Sequence, residues 1–305
     1  MNTPYRGIFP IVPTPFHEDG ALDLGSQRRA LDCMIDQGVD GLCILANYSE
    51  QFLLSDEERA ILQTACLEHV DSRVPVIVTC SHFSTRIAVE RCRRAAAEGA
   101  AMVMMMPPYH GALLRADDEG VFQHFAAISG ALEIPVMVQD APLSGVTLGV
   151  PLLARMAREL PRLAYFKIEC PGAAAKLRAL IAAAGEHIDG PFDGEEGITL
   201  LDDLDAGATG TMTSALACEQ IRPIVIDHLA GAYADAAAQY RRMLPLINFE
   251  NRQCGLRACK TVMMEGGVIR SDRVRHPLAP LPAETRAELL DMAAEFDLLA
   301  LRWGR

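Results

Sequence analysis

Residues 163–169, LAYFKIE, form a short apolar run that ends with a lysine and a glutamate. This run is the sixth of eight, and successive runs begin 21 to 33 residues apart, which suits one strand followed by one helix. Strands that are apolar on both faces are typical of parallel sheets covered by helices. The eight predicted strands begin near Phe9, Leu42, Pro75, Met102, Pro135, Leu163, Ile188 and Thr209.

Helix signals fill the intervals between these runs, for example over 118–130 and 150–159, where apolar residues recur at helical spacing. Glycine ends a helix and leads into a strand at Gly38, Gly99 and Gly207, because glycine adopts the left-handed conformation at a helix end without a steric penalty. Eight βα units in series predict an α/β protein with a (β/α)8 TIM barrel. A doubly wound open sheet is the alternative, but no GxGxxG motif follows the first strand.

The strand signal stops after about residue 230, and the rest of the chain predicts helices. We expect a C-terminal α-helical extension that packs on the barrel or on a neighbouring subunit, since no low-complexity linker precedes it. The predicted domains are therefore a catalytic barrel over 1–229 and the extension over 230–305. The helices of the extension are expected around 232–244, 256–265 and 283–302.

Composition excludes several classes of partner. The formal net charge is −12 and Lys and Arg form no run, so binding to nucleic acid or to an anionic membrane is not expected. No apolar stretch reaches the roughly 18 residues of a membrane span, and residues 1–10 do not resemble a secretory leader. The nine cysteines form no CxxC pair, which indicates free, buried thiols in a cytoplasmic protein.

Lysine is rare in this chain, because 25 of the 28 basic residues are arginine. The three lysines are Lys167, Lys176 and Lys260. A lysine inside a predicted strand is therefore not one of many scattered surface lysines, and Lys167 lies in the sixth strand.

Side chains along a strand alternate between its two faces. In the sixth strand Tyr165, Lys167 and Glu169 are predicted to face the barrel interior, while Phe166 and Ile168 face the helices. An ammonium group loses hydration when it is buried, so a buried lysine is more readily the neutral amine that attacks a carbonyl. The alternative is a purely structural lysine–glutamate ion pair, or a lysine that reaches to solvent.

Polar side chains collect where the predicted strands end, which is the catalytic end of a barrel. Any loop is polar, so the shared position carries more weight than any single residue. These candidates are Thr14, Asn47, Tyr48, Ser49, Ser81, His82, Tyr109, His110, Gln139, Asp140, Asp193, Glu195, Thr211 and Thr213.

A metal site has little support in the sequence, which contains no HxH or HExxH motif. Asp193 with Glu195 and Glu196 could ligate Mg²⁺, but these residues are better interpreted as the acidic first turn of the next helix. His82 and His110 could transfer protons or bind substrate hydroxyls, although loop hydrogen bonding is the simpler interpretation. We expect no metal.

Several motifs together resemble the dihydrodipicolinate synthase/N-acetylneuraminate lyase family over essentially the whole chain. They are PIVPTPF (10–16), the polar loop ANYSE (46–50), MPPYH (106–110), VQDAP (138–142) and YFKIE (165–169). The family consists of class I aldolase-type barrels with a Schiff-base lysine. Longer segments are similar to the members that dehydrate L-2-keto-3-deoxyarabonate, namely 41–51, 102–111, 135–145, 164–169, 193–201 and 244–253.

The resemblance implies a role for several residues. Lys167 matches the Schiff-base lysine, so no cofactor is expected beyond the covalent imine. The loop 46–50 lies where the family binds the substrate carboxylate through backbone N–H groups, a role that would fall to Tyr48 and Ser49. Tyr109 matches a tyrosine that reaches into the neighbouring site of a tight dimer, and the family implies a homotetramer built from such dimers.

The departures from the family pattern are informative. Gln139 replaces the tyrosine after strand five and Asn47 replaces the loop threonine, so two of the three members of the family's proton relay are missing. Ser144 lies near the position of the synthase arginine that holds a second substrate, which disfavours lysine-precursor synthesis. Glu169 faces the same cavity as Lys167 and is the candidate for proton transfer.

The resemblance with these departures implies a dehydratase that converts L-2-keto-3-deoxyarabonate to 2-oxoglutarate semialdehyde in L-arabinose catabolism. The alternatives are a pyruvate-dependent class I aldolase acting on a 2-keto-3-deoxy sugar acid, and a non-catalytic sugar-acid sensor. The predicted catalytic residues are Lys167 and Glu169. The predicted substrate-binding residues are Asn47, Tyr48, Ser49, Tyr109, Gln139 and Thr211.

Overall fold

The computed structural model describes residues 4–110 and 114–305. Eight strands alternate along the chain with helices, and a short hairpin of two further strands follows the fourth. The strands are β1 (Gly7–Ile8), β2 (Leu42–Ile44), β3 (Val76–Thr79), β4 (Met102–Met105), β5 (Tyr109–His110), β6 (Leu114–Arg115), β7 (Val136–Asp140), β8 (Leu163–Ile168), β9 (Gly190–Asp193) and β10 (Gly210–Thr211).

Within the described residues a helix follows each of the eight strands, and three more helices follow the last of these. The three glycines predicted to end helices have positive φ angles of 80°, 95° and 106° at Gly38, Gly99 and Gly207. The helices are α1 (Leu24–Asp36), α2 (Asp56–Val70), α3 (Thr85–Ala97), α4 (Asp118–Ser129), α5 (Val150–Glu159), α6 (Ala173–Ala184), α7 (Leu200–Asp205), α8 (Cys218–Leu229), α9 (Tyr233–Phe249), α10 (Arg257–Glu265) and α11 (Ala283–Ala294).

The described residues fall into two compact units. The first comprises 4–6, 76–194 and 199–211, with six parallel strands that pair in the order β3, β4, β7, β8, β9 and β10. Almost every residue of these strands is buried, because helices cover the sheet on one face and side chains fill the other. Helices α3 to α7 and the hairpin belong to the same unit.

The second unit comprises 7–75, 195–198 and 212–305. It holds β1 and β2, where Ile11 forms parallel bridges with Cys43 and with Ser214. Helices α8 and α9 pack against each other, and α11 contacts both α9 and α10. The C-terminal helices that the sequence predicts are therefore present.

Two details differ from the sequence-based expectations. The hairpin β5–β6 was not expected, because two-residue strands are too short to show alternation. Helix α11 ends at Ala294 instead of continuing to 302, and Asp297 adopts a left-handed φ of 49° beyond that end. The domain boundary between 229 and 230 stays a prediction.

Candidate active site

Lys167 lies near the carboxyl end of β8 in the first unit. In the sheet register it is opposite Gln139 of β7 and Phe192 of β9, so these three side chains share one face of the sheet. The side chain of Lys167 is buried, with the residue only 3% exposed. Its Nζ forms an ion pair with Oε1 of Glu169, which follows the strand and is 8% exposed. The structure thus brings the two residues predicted as catalytic into direct contact.

Gln139 completes this cluster. Its Nε2 donates a hydrogen bond to Oε2 of Glu169 at 3.0 Å. One oxygen of the Glu169 carboxylate therefore contacts Lys167 and the other contacts Gln139, which fixes the plane of the carboxylate. The Oε1 of Gln139 is buried and has no hydrogen-bond partner among the residues that the structure describes.

Gly194 provides the space that Glu169 occupies. A Cβ atom built at residue 194 would lie 2.3 Å from Cγ of Glu169 and 2.9 Å from its Oε1. Real side chains do not approach so closely, so only glycine fits here without displacing the carboxylate. Position 194 therefore determines where Glu169 can lie.

Asp140 and Lys176 lie behind the same strands. Asp140 follows Gln139 in β7 and so faces the opposite side of the sheet, where its Oδ2 lies 2.5 Å from Nζ of Lys176 in α6. Burial raises the pKa of Asp140, whereas the hydrogen bond and the charge of Lys176 lower it. No local pattern predicts this pair, because its two residues are separated by 36 positions.

Thr211 does not join the cluster around Lys167. It is opposite Asp193 in the register of β9 and β10, and its Oγ1 donates to Oδ2 of Asp193 at 2.5 Å. Asp193 is in turn opposite Ile168, so Thr211 lies on the sheet face that Lys167 does not use. Burial and then the neighbouring Asp203 carboxyl raise the pKa of Asp193 well above its usual value, while Lys167 opposes that shift.

The loop 46–50 lies in the second unit, where internal hydrogen bonds fix it. The hydroxyl of Ser49 donates to the Val12 carbonyl at 2.6 Å, and the Ser49 amide donates to the Ala46 carbonyl at 3.0 Å. The amides of Asn47 and Tyr48, which begin the short turn, have no acceptor among the described residues. The open backbone donors of this loop are therefore at 47 and 48, and Ser49 is used internally.

The side chain of Tyr48 belongs to a group of polar residues in the same unit. Burial, and then the charges of Glu196 and Glu250, raise the pKa of Tyr48, and its hydroxyl donates to Glu196. Asn251 donates to Oε2 of Glu196 at 2.7 Å. The segments 193–201 and 244–253, on which the family resemblance partly rests, contain Glu196, Glu250 and Asn251, but the sequence assigned no role to Glu250 or Asn251.

The prediction for the acidic segment after β9 was wrong. Glu195 and Glu196 have left-handed φ angles of 50° and 59°, and α7 begins only at Leu200, so these residues form a separate turn and not the first turn of that helix. Within 4–110 and 114–305, no cluster of three or more His, Cys, Asp or Glu side chains could hold a metal ion.

Three further candidates lie in the first unit. Tyr109 is half-buried in β5, and burial raises its pKa to about 12. His82 accepts a hydrogen bond from the amide of Ser84 at 2.9 Å, as the loop interpretation expects. His110 is in β5, and its side chain lies outside the described part of the structure.

Two further findings concern the chain as a whole. All nine cysteines are free thiols, and eight of them are buried. Among the helices of the described residues, none is both long enough and apolar enough to span a membrane.

A βα series with a buried lysine in its sixth repeat, in contact with a carboxylate, is the arrangement that class I lyases with a Schiff-base lysine use. Residues 4–295 match the Dihydrodipicolinate synthetase family, and the chain belongs to that family. Its members are lyases of this class, which agrees with the expectation from the sequence motifs.

Two relatives illustrate the range of the family. The chain is 58% identical over 304 residues to the L-2-keto-3-deoxyarabonate dehydratase of Azospirillum brasilense, covering 99% of this chain and 98% of the relative. It is 30% identical over 297 residues to the 4-hydroxy-tetrahydrodipicolinate synthase 2 of Streptomyces coelicolor, covering 96% of each.

Solved structures support the fold. A protein assigned as a dihydrodipicolinate synthetase from Pseudomonas aeruginosa matches with a TM-score of 0.89 at 30% identity, covering 95% of this chain and 99% of that one. A monomeric dihydrodipicolinate synthase variant matches with a TM-score of 0.88 at 26% identity, covering 97% and 98%. The predicted (β/α)8 barrel with C-terminal helices is confirmed.

Proposed function

We propose that this chain removes water from L-2-keto-3-deoxyarabonate and forms 2-oxoglutarate semialdehyde, a step in L-arabinose breakdown. The observation that carries the proposal is the buried contact of Lys167 with Glu169, whose carboxylate Gln139 also holds. The 58% identical relative from Azospirillum brasilense supports the substrate.

The first step forms the imine. An ion pair and an acid–base couple are two protonation states of the same contact, so a proton that passes from Lys167 to Glu169 leaves a neutral amine. The amine nitrogen attacks the C2 ketone of the substrate. The attacking nitrogen loses a second proton to the C2 oxygen, and Glu169 returns the first proton to the same oxygen. The oxygen then leaves as water, and the nitrogen remains bound to C2 as a cationic imine.

The second step eliminates the C4 hydroxyl. The cationic imine accepts electrons from C3, so Glu169 can remove a C3 proton and form an enamine. The protonated Glu169 then donates to the C4 hydroxyl, the C4–O bond breaks, and water leaves. A proton is lost from C5 and one is gained at C3, which leaves an enol at C4 and C5. The enol gains a proton at C4 and loses its hydroxyl proton to become the C5 aldehyde, and hydrolysis of the imine then releases the semialdehyde and restores Lys167.

Gln139 favours dehydration over carbon–carbon cleavage. Retro-aldol cleavage needs a base that removes the proton of the C4 hydroxyl, and an amide side chain cannot act as a base at neutral pH. The amide can hold Glu169 in position, which is the contact that the side chain makes. This combination supports the dehydratase assignment over the aldolase.

We assign substrate binding to the open amides of Asn47 and Tyr48, which would hold the carboxylate of the keto acid. We also propose a homotetramer built from dimers, with Tyr109 at an interface. Because a monomeric dihydrodipicolinate synthase variant is 26% identical to this chain, light scattering is needed to measure the oligomeric state. Free thiols at all nine cysteines support a location in the reducing cytoplasm.

The test is a product assay with purified protein and L-2-keto-3-deoxyarabonate. We expect a semialdehyde, detected by coupling to an aldehyde dehydrogenase. Pyruvate and glycolaldehyde as products would support an aldolase instead. No turnover together with tight binding of the acid would support the sensor.

A further inference from the structure

A partly buried lysine forms an ion pair with β7, next to the strand that carries Lys167. Lys176 lies in the first turn of α6, and its Nζ is 2.5 Å from Oδ2 of Asp140 in β7. The side chain of Lys176 is 14% exposed and that of Asp140 is 3% exposed, so water screens this ion pair only weakly. Lysine is rare in this chain, and the proposed mechanism does not use Lys176.

Asp140 contacts Glu169 directly through the backbone. The backbone carbonyl of Asp140 accepts a hydrogen bond from the amide of Glu169 at 3.0 Å. The preceding residue, Gln139, donates through Nε2 to the Glu169 carboxylate at 3.0 Å. Two consecutive residues of β7 therefore hold both the backbone and the side chain of Glu169, and Lys176 holds the second of them.

The place of the Glu169 carboxylate depends on the charges around it. Asp140 and Glu169 are close enough for the negative charge of Glu169 to raise the pKa of Asp140, although burial is the largest cause of that shift. Lys176 is the cation that compensates Asp140 directly. Among the described residues, Lys167 and Asp140 interact with Glu169 directly, and Lys176 interacts with Asp140. The next charged or titratable groups are Cys170, which follows Glu169, Asp193, which interacts with Lys167, and Asp203, which interacts with Cys170 and Asp193.

We infer that Lys176 is a positioning residue for the reaction, which holds Asp140 and thereby sets the place and the charge environment of the Glu169 carboxylate. The inference rests on the proposed function, in which Glu169 transfers the protons. Without the ammonium group, Asp140 would be a buried carboxylate without its cation, and it would repel the charge of Glu169 and shift residues 139 and 140. Such a shift lowers the rate of dehydration, because proton transfer requires the reacting groups to be placed to within about 1 Å.

The experiment compares Lys176→Met, Lys176→Arg and Asp140→Asn with the unchanged chain. We expect Lys176→Met to lower kcat for dehydration by roughly 10- to 100-fold with little change in KM. Its acidic limb in the pH profile of kcat should move to higher pH, since the uncompensated Asp140 favours protonation of Glu169. Asp140→Asn removes that charge, so its acidic limb should move to lower pH.

The conservative variant and a control separate positioning from general destabilisation. Lys176→Arg keeps a cation beside Asp140 and should recover most of kcat. The control is Arg155→Met, which breaks a cation–carboxylate contact of 2.7 Å between Arg155 and Glu119 in the same unit, on the outer helices. We expect the control to leave kcat and the pH profile unchanged.

Opposite movements of the acidic limb in Lys176→Met and Asp140→Asn would support the inference, because a purely structural pair would lower thermal stability in both without moving the limb. Equal kcat values and coincident pH profiles in folded variants would overturn it. If the unchanged chain does not dehydrate the acid at all, the proposed function has failed. The product assay of the unchanged chain shows this failure before any variant is compared.

Discussion

A lysine that is 3% exposed keeps its charge only where a carboxylate compensates it, and Lys167 has that partner in Glu169. In the proposed mechanism the same carboxylate accepts the lysine proton, so one contact would both stabilise the resting state and activate the amine. Gln139 holds the second oxygen of the carboxylate. At the scale of residues, the chemistry therefore depends on how firmly Glu169 is held and on whether it can exchange protons.

Glu169→Gln tests the exchange of protons. The amide keeps the size of the side chain but cannot accept a proton, so we expect dehydration to fall by roughly 10²–10⁴-fold, the usual range for a general acid–base group. Borohydride reduction should still trap a keto acid on Lys167, but more slowly, because water must then take the lysine proton that Glu169 accepts in the unchanged chain. Steady-state kinetics measures the dehydration rate, and borohydride trapping on the same sample measures imine formation. The control is Glu159→Gln at the exposed end of α5. Near-wild-type turnover in Glu169→Gln would show that another group transfers the protons.

Gly194→Ala tests the position of the carboxylate. The added Cβ would lie 2.3 Å from Cγ of Glu169, so the side chain must move. We expect kcat to fall by about 10²-fold, as displacements of about 1 Å at a reacting group do, while the protein stays folded. Gly149→Ala is the matched control, because its Cβ would meet only Pro151 at 3.6 Å. Equal loss of activity in both variants would contradict this account.

The alternation of side chains in the sixth strand predicted that Lys167 and Glu169 share a face, and the structure confirms this. Thr211 shows the limit of the same reasoning. The run near Thr209 forms a strand of only two residues, and a shift of one residue moves a side chain to the other face. The register with β9, which places Thr211 behind the sheet, is a tertiary property that the run does not encode.

At the scale of elements, the loop 46–50 depends on a buried ion pair within the second unit. Lys260 of α10 is fully buried and its Nζ lies 2.7 Å from Oε1 of Glu50, whose other oxygen accepts from the amide of Arg275 at 2.9 Å. Glu50 has a left-handed φ of 57°, which these contacts help to maintain. Burial lowers the pKa of Lys260, and the charge of Glu50 opposes that shift.

Lys260→Met is therefore expected to destabilise the protein strongly. It would leave the Glu50 carboxylate buried without its cation, at a cost of about 3–5 kcal/mol in the free energy of unfolding. The double variant Glu50→Gln with Lys260→Met removes both charges and should lose less. Urea unfolding followed by circular dichroism measures the difference. A double variant that is less stable than Lys260→Met would contradict the charge argument.

Elements with a strong apolar period were predictable, and contacts between distant positions were not. Helix α5 spans the predicted 150–159, because its pattern is regular and Gly149 precedes it. Glu50 and Lys260 are 210 positions apart, and no local pattern joins them. Helix α11 is shorter than predicted because the backbone turns at Asp297 although apolar residues continue beyond it.

At the scale of the whole molecule, buried carboxyl groups make stability depend on pH. Burial raises the pKa of Glu250 from 4.5 to about 8. The folded protein therefore holds a proton that the unfolded chain releases above about pH 4.5. The free energy of unfolding should decrease as pH rises from 4.5 to 8, because the folded state binds more protons across that window.

Glu250→Gln tests this linkage. The amide resembles the protonated acid, so the variant should lose part of the decrease in stability between pH 4.5 and 8. Thermal or urea unfolding at pH 5, 6.5 and 8 measures it, with the exposed Glu284 of α11 changed to Gln as the control. Parallel pH curves for the unchanged chain and Glu250→Gln would show that Glu250 does not carry this proton.

The order of eight strands and their helices was predictable because each strand is buried on both faces and leaves a continuous apolar run. The family and its Schiff-base lysine followed from motifs at the ends of those strands. The group formed by Tyr48, Glu196, Glu250 and Asn251 did not follow, because it assembles residues from three distant segments.

The central claim is that Lys167 forms the covalent imine. The direct measurement is reduction with borohydride in the presence of pyruvate, followed by peptide mass mapping of the three lysines. The account predicts an adduct on Lys167, none on Lys176 or Lys260, and none at all in Lys167→Ala. An adduct on another lysine, or no adduct at a saturating concentration of pyruvate, would contradict it.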